Sequence, residues 1–108
     1  RGEREFSRTM LVHTVFFWLK PDLTDAQRAE FLTALKALGD IPNHTSFYLG
    51  TPAGVADRPV VDKTFDYSIT CVFENLEAHN TYQAHPLHVA FLEQGKPKWV
   101  RSQVYDAD

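Results

Sequence analysis

Apolar residues along this chain recur at two different periods, and the switches between them mark out its elements. Residues 11–20, LVHTVFFWLK, are rich in β-branched and aromatic side chains and read as a strand that Pro21 ends. Leu11, His13, Val15, Phe17 and Leu19 share one face while Val12, Phe16 and Trp18 share the other, so both faces are apolar. Such a strand needs helices against one face and another layer, such as a second sheet, against the other. The period then becomes helical: Thr24 is the N-cap, Gln27 holds the capping-box position, and Phe31, Leu32, Leu35 and Leu38 follow at helical spacing before Gly39 supplies a stop. Residues 44–51 are a shorter strand, and residues 52–63 form a loop punctuated by Pro52, Gly54 and Pro59.

Residues 65–73, FDYSITCVF, alternate cleanly and predict a strand with Phe65, Tyr67, Ile69, Cys71 and Phe73 on one side. Asn75 caps a helix over residues 76–84, and Pro86 interrupts it, because the residue before a proline is pushed away from helical geometry. Pro86 suits the first position of a new helix that Gly95 ends. The last strand, residues 97–106, places Val100, Ser102 and Val104 opposite Trp99, Arg101, Gln103 and Tyr105. The order β-α-β-β-α-β predicts an α+β, ferredoxin-like protomer, a four-stranded antiparallel sheet with helices on one face. The bare face would carry apolar side chains, which calls for a second sheet and so for a twofold homodimer that closes a central β-barrel. The domain spans residues 10–108. Residues 1–9 are mostly polar, precede the only methionine, Met10, and read as a flexible native extension or a remnant of cloning.

At 108 residues the chain has room for one domain. A net charge of −3, with Lys and Arg scattered, offers no basic stripe for nucleic acid. The apolar runs are too short to span a membrane, and a soluble, cytoplasmic protein is expected. The single cysteine, Cys71, has no partner for a disulfide or a thiolate metal site, and its alternating apolar run predicts an inert core thiol.

The chemistry is concentrated in YQAHPLH, residues 82–88. In an unbroken helix Tyr82 and His88 would point roughly 120° apart. A break at His85 re-aims the second segment and lets the two converge. His88, in the first turn of the new helix, sits near its positive dipole end, which disfavours the imidazolium and leaves a neutral imidazole able to accept a proton. Tyr82 can donate a hydrogen bond to an oxygen that gains negative charge. His13 lines the same cavity if its strand face is the helix-packed one. Each has a plainer reading: His85 as a cap, His88 as a buried histidine bonded to a backbone carbonyl, Tyr82 as a core aromatic, His13 as structural. His44 and His79 read as surface residues. His85 and His88 make a poor metal pair without a carboxylate companion, so no metal is expected. No Gly-rich phosphate loop or nucleophile elbow is present.

These residues carry a resemblance. His13 early in the first strand, the YxxHPxH run of Tyr82, His85, Pro86 and His88, the preceding DYSITCVFENLEAHNTY and the terminal VYD together resemble the stress-responsive A/B barrel (Dabb) domain family over nearly all of residues 10–106. The resemblance implies a ferredoxin-like protomer in a homodimeric barrel. Enzymes of this type include plant polyketide cyclases that use aldol condensation and no cofactor. By that likeness His88 is the catalytic base, Tyr82 the catalytic tyrosine that holds the enolate oxygen, and His13 a pocket residue, with His85 counted beside His13 as substrate-binding. The loop 52–63 and the first helix carry no such likeness, so the resemblance does not transfer a substrate. A small-molecule pocket with lyase or cyclase chemistry, a ligand-binding dimer without chemistry, and a purely structural homodimer all fit. Pocket volume separates the last, because small-ligand clefts usually enclose roughly 300 Å³ or more.

Overall fold

The computed structural model describes residues 10–108, so the expectation for residues 1–9 lies outside the described residues. Four antiparallel strands form one sheet in the order β2-β3-β1-β4, where β1 is Leu11–Leu19, β2 Ser46–Gly50, β3 Tyr67–Phe73 and β4 Trp99–Ala107. Helices α1 (Asp25–Ala37), α2 (Leu76–Ala84) and α3 (Pro86–Gly95) connect them. This is the expected ferredoxin-like α+β protomer. Central β1 shows why: Leu11, His13, Val15, Phe17 and Leu19 are all buried, and the residues between them are not. The core beneath the helices joins this face to Ile69, Cys71 and Phe73 of β3 and to Phe31, Leu35, Tyr82 and Phe91 of the helices.

Local chemistry sets the helix starts. The Thr24 hydroxyl accepts from the Gln27 amide and the Gln27 side chain accepts from the Thr24 amide, completing the capping box of α1. Asn75 Oδ1 accepts from the Ala78 amide at the head of α2. His85 adopts φ −63° and ψ 140°, an extended conformation that ends α2, and its Nδ1 accepts from the Leu87 amide to cap α3, with Pro86 in the first turn.

Three expectations about the elements need correction. Gly39 does not stop α1 through a left-handed turn, since no glycine among the described residues has positive φ; the helix instead tightens into a 3₁₀ turn, Leu38–Asp40. The site wants a small residue because a Cβ on Gly39 would lie 3.1 Å from the Phe47 ring. Phe65 is not on the buried face of β3. The Asp66 amide donates to the Phe17 carbonyl and its carboxylate accepts from the Leu19 amide, so the strand begins only at Tyr67. Phe65 therefore packs on Phe16, 4.9 Å between ring centroids, on the open face. In β4 a register shift opposite Trp18 and Leu19 adds one residue. Trp99 thus joins the helix-side face, packing on Phe17 and Phe91, while Val100 is exposed. Gly95, the last residue of α3, is small for the same reason as Gly39: a Cβ there would meet Trp99 at 3.1 Å and Phe31 at 3.3 Å.

The other face of the sheet has no covering layer among the described residues. Tyr48 and Tyr105 are 65% and 61% exposed there, beside Val12, Phe16 and Trp18. Arg101 lies over the Trp18 ring at 4.2 Å, bordering a hollow of about 280 Å³. Among the described residues no helix is long and apolar enough to cross a membrane.

Candidate active site

His13 faces the helices from the central strand and is 4% exposed. Strand pairing places it directly opposite Asp106 of β4, and its Nδ1 lies 2.5 Å from Asp106 Oδ1. With Nδ1–H donating to the carboxylate, Nε2 keeps its lone pair. His88, in the first turn of α3, is 7% exposed, and its Nδ1 has no hydrogen-bond partner among the described residues. Burial depresses the His88 pKa below its ordinary value, the neighbouring His13 and His79 rings add to the effect, and the Gln83 backbone opposes it. The ring is held neutral near pH 7. Desolvation is the largest of these causes.

The break at His85 does bring Tyr82 and His88 together, with ring centroids 5.0 Å apart in an edge-to-face arrangement. Tyr82 is fully buried, and its hydroxyl accepts from Cys71 Sγ–H at 3.8 Å. Burial, with Cys71 beside it, pushes the Tyr82 phenol well above its ordinary range, so it stays protonated. Burial also pushes the Cys71 thiol up to about 11, which makes it the expected inert core group.

A cavity of about 140 Å³ lies between the sheet and α3, lined by His13, Ile69, Gln83, His88, Phe91 and Ser102 among others. Of the residues singled out from sequence, His13 and His88 reach its wall. Tyr82 packs behind the wall rather than on it, and His85 stands apart as the α3 cap.

Three participants were missed or misplaced by sequence reasoning. His79 is half-buried rather than on the surface, its ring 5.1 Å from His13 and 5.4 Å from Phe73. The three-residue spacing from His79 to Tyr82 on α2 was the available signal. His44 likewise turns inward, with Nε2 3.2 Å from the Leu38 carbonyl and its ring stacked on Phe47. Asp106 drew attention only as part of VYD, and its role depends on the β1–β4 register.

The model of the stress responsive A/B barrel domain matches residues 11–108. The chain belongs to that family. Residues 11–108 thus form a Dabb domain. This Dabb chain is 24% identical over 95 residues to olivetolic acid cyclase of Cannabis sativa, covering 87% of this chain and 91% of that one. It superposes on a dimeric ferredoxin-like protein of unknown function from Thermobifida fusca with a TM-score of 0.73 and 22% identity, covering 91% of this chain and 89% of that one. It also superposes on the hydroxynitrile lyase of Passiflora edulis with a TM-score of 0.75 and 20% identity, covering 93% of each chain.

Proposed function

We propose that this Dabb domain works as a cytoplasmic homodimer that binds a small carbonyl compound against His88 and performs lyase- or cyclase-type acid–base chemistry on it. The observation that carries the reading is the unpartnered Nδ1 of His88, a buried polar atom on a residue of the cavity wall. Buried polar atoms are nearly always satisfied, and an orphan at a cavity marks a place for a ligand's polar group. A neutral imidazole there accepts a proton from carbon next to a carbonyl; the C–H electron pair moves into the enolate, and the imidazolium returns the proton later. The step needs only this chain's side chains.

Cavity size constrains the ligand. A dry cavity of ~150 Å³ holds benzene, so about 140 Å³ admits roughly six to eight heavy atoms and excludes a long acyl chain. That volume also favours a second reading, a non-catalytic or structural homodimer, because it falls below the usual range for small-ligand clefts. Gln83 and Ser102 are polar side chains on the wall able to donate a hydrogen bond to an oxygen, while His13 offers its Nε2 lone pair to a donor. Tyr82, engaged with Cys71, serves by fixing the His88 ring from behind.

Support for the activity class comes from the names of two similar proteins, one a cyclase and one a lyase. Support for the homodimer comes from the uncovered aromatic sheet face and from the Thermobifida fusca protein described as dimeric. Closure of the two sheets into a barrel belongs to the same proposal. The lone buried thiol suits a reducing compartment.

Screening ketones, aldehydes and cyanohydrins of that size for both binding and turnover tests the reading. His88→Ala should abolish turnover and leave binding within a few-fold. Turnover that survives His88→Ala would remove His88 as base, and the absence of any bound compound would leave the structural homodimer.

A further inference from the structure

We propose that His13, His79 and Asp106 form a binding site for one divalent first-row transition-metal ion, with Zn²⁺ as the reference ion. The three come from separate elements, β1, α2 and β4, and one ligand atom from each lies within 4.8 Å of the others. Around a zinc ion with bonds of about 2.0–2.2 Å, donors sit roughly 3.3 Å apart, so only small side-chain rotations are needed. Asp106 is able to make them, since its side chain is 43% exposed.

The donor set fits the ion. Two borderline imidazoles and one hard carboxylate together suit zinc, iron or cobalt, and three protein ligands leave positions open for water or a ligand oxygen. The site also has a burial gradient: His13 is buried at the inner end, His79 is half-buried, and Asp106 borders a groove shared with Leu11 and Ala107 through which an ion enters.

Neighbouring groups prepare the ligands. His79 Nδ1 lies 3.1 Å from Asn80 Oδ1, and donation of its proton there leaves the Nε2 lone pair available. The Gln83 amide now beside that nitrogen, at 3.2 Å, would give way to the ion. Without an ion, the His13 Nδ1–H donates to Asp106 Oδ1. An ion takes the place of that proton, and the imidazole stays neutral by carrying its hydrogen on the other nitrogen. The expectation of no metal rested on His85 and His88, neither of which belongs to this group. The ring of His13 serves both the cavity and the ion site, but the ion site does not depend on any turnover by His88.

The test is metal binding to tag-free, chelator-stripped full chain, followed by calorimetry with Zn²⁺ and by visible absorption with Co²⁺. The expected result is one ion per chain, with His79→Ala, His79→Gln and Asp106→Asn each weakening affinity by at least about tenfold, and with His85→Asn unchanged. On the unsubstituted protein, Zn²⁺ should move the imidazole nitrogen resonances of His13 and His79 while those of His44 and His85 stay in place. Affinity weaker than about 1 mM, affinity in the two His79 variants unchanged from that of the unsubstituted protein, or shifts confined to other histidines would each overturn the proposal.

Discussion

Replacing His88 by leucine should make the protein more stable while removing its chemistry. The imidazole Nδ1 is buried and unpartnered, and a polar group left unsatisfied in the interior costs about 1–3 kcal/mol. Leucine has a similar volume and meets Phe91, Ile69 and Val15 on the same cavity wall, so misfit contributes less than about 1.5 kcal/mol. Leucine also gives up the hydrogen bond of His88 to the Gln83 backbone, worth about 1 kcal/mol, so a net gain of up to about 1 kcal/mol follows. For a chain of this length each kcal/mol moves the melting midpoint by roughly 4–8 °C, so a rise of up to about 4–8 °C is expected. The assay is thermal unfolding followed by circular dichroism at fixed protein concentration, since the proposed dimer would tie the midpoint to concentration. A midpoint lowered by more than a few degrees would refute the reasoning. It would show that Nδ1 is satisfied in solution and that His88 supports the fold.

Other outcomes follow from the same structure. Because burial depresses the His88 pKa below its ordinary 6.5, the unfolded chain binds the extra proton first; stability contributed by the neutral ring is full above about pH 6.5 and is lost as pH falls from there to the lower folded value. In denaturant unfolding between pH 5 and 7.5, the parent should lose more stability toward acid than His88→Leu, and equal slopes would count against a depressed pKa. His85→Ala should lower stability by about 1 kcal/mol through loss of the α3 cap, whereas His85→Asn, itself a good cap, should stay within a few tenths. Gly95→Ala, favourable for a helix by ~1 kcal/mol, should nevertheless destabilise, because its methyl group would press on Trp99 and Phe31; a raised melting midpoint would show that those rings can shift. Trp18→Glu on the open face should shift the protein toward monomer in sedimentation, and an unchanged dimer would move the interface elsewhere.

What could be read without coordinates was whatever depends on local period and capping. The two-sided character of residues 11–19, the Thr24–Gln27 box and the interruption at His85–Pro86 all rest on chemistry within a few residues, and each is present in the structure. What escaped depends on register and on distant partners. Alternation continues through Phe65 in the sequence, but Asp66 ties the backbone to β1 and sends that ring to the other face. The extra residue at Val100 reverses the facing of Trp99, and no side-chain pattern announces a bulge. Gly39 looked like a conformational stop and is instead a contact point for a ring, and Gly95, which does end α3, packs against rings as well. Within the site, the helix break foretold that Tyr82 and His88 would meet, but not that the tyrosine hydroxyl would turn to Cys71. The pairing of His13 with Asp106 spans the whole domain and became visible only with the β1–β4 register.

The most direct test of the central claim is hydrogen–deuterium exchange at the carbon next to the carbonyl of cyclohexanone, a compound matched to the cavity, followed by proton NMR in D₂O near pH 7. The account predicts that the protein accelerates exchange over buffer, and that His88→Leu, folded and at least as stable, returns it to the buffer rate. Equal exchange by both proteins would contradict His88 as a working base and leave the cavity as part of a structural homodimer.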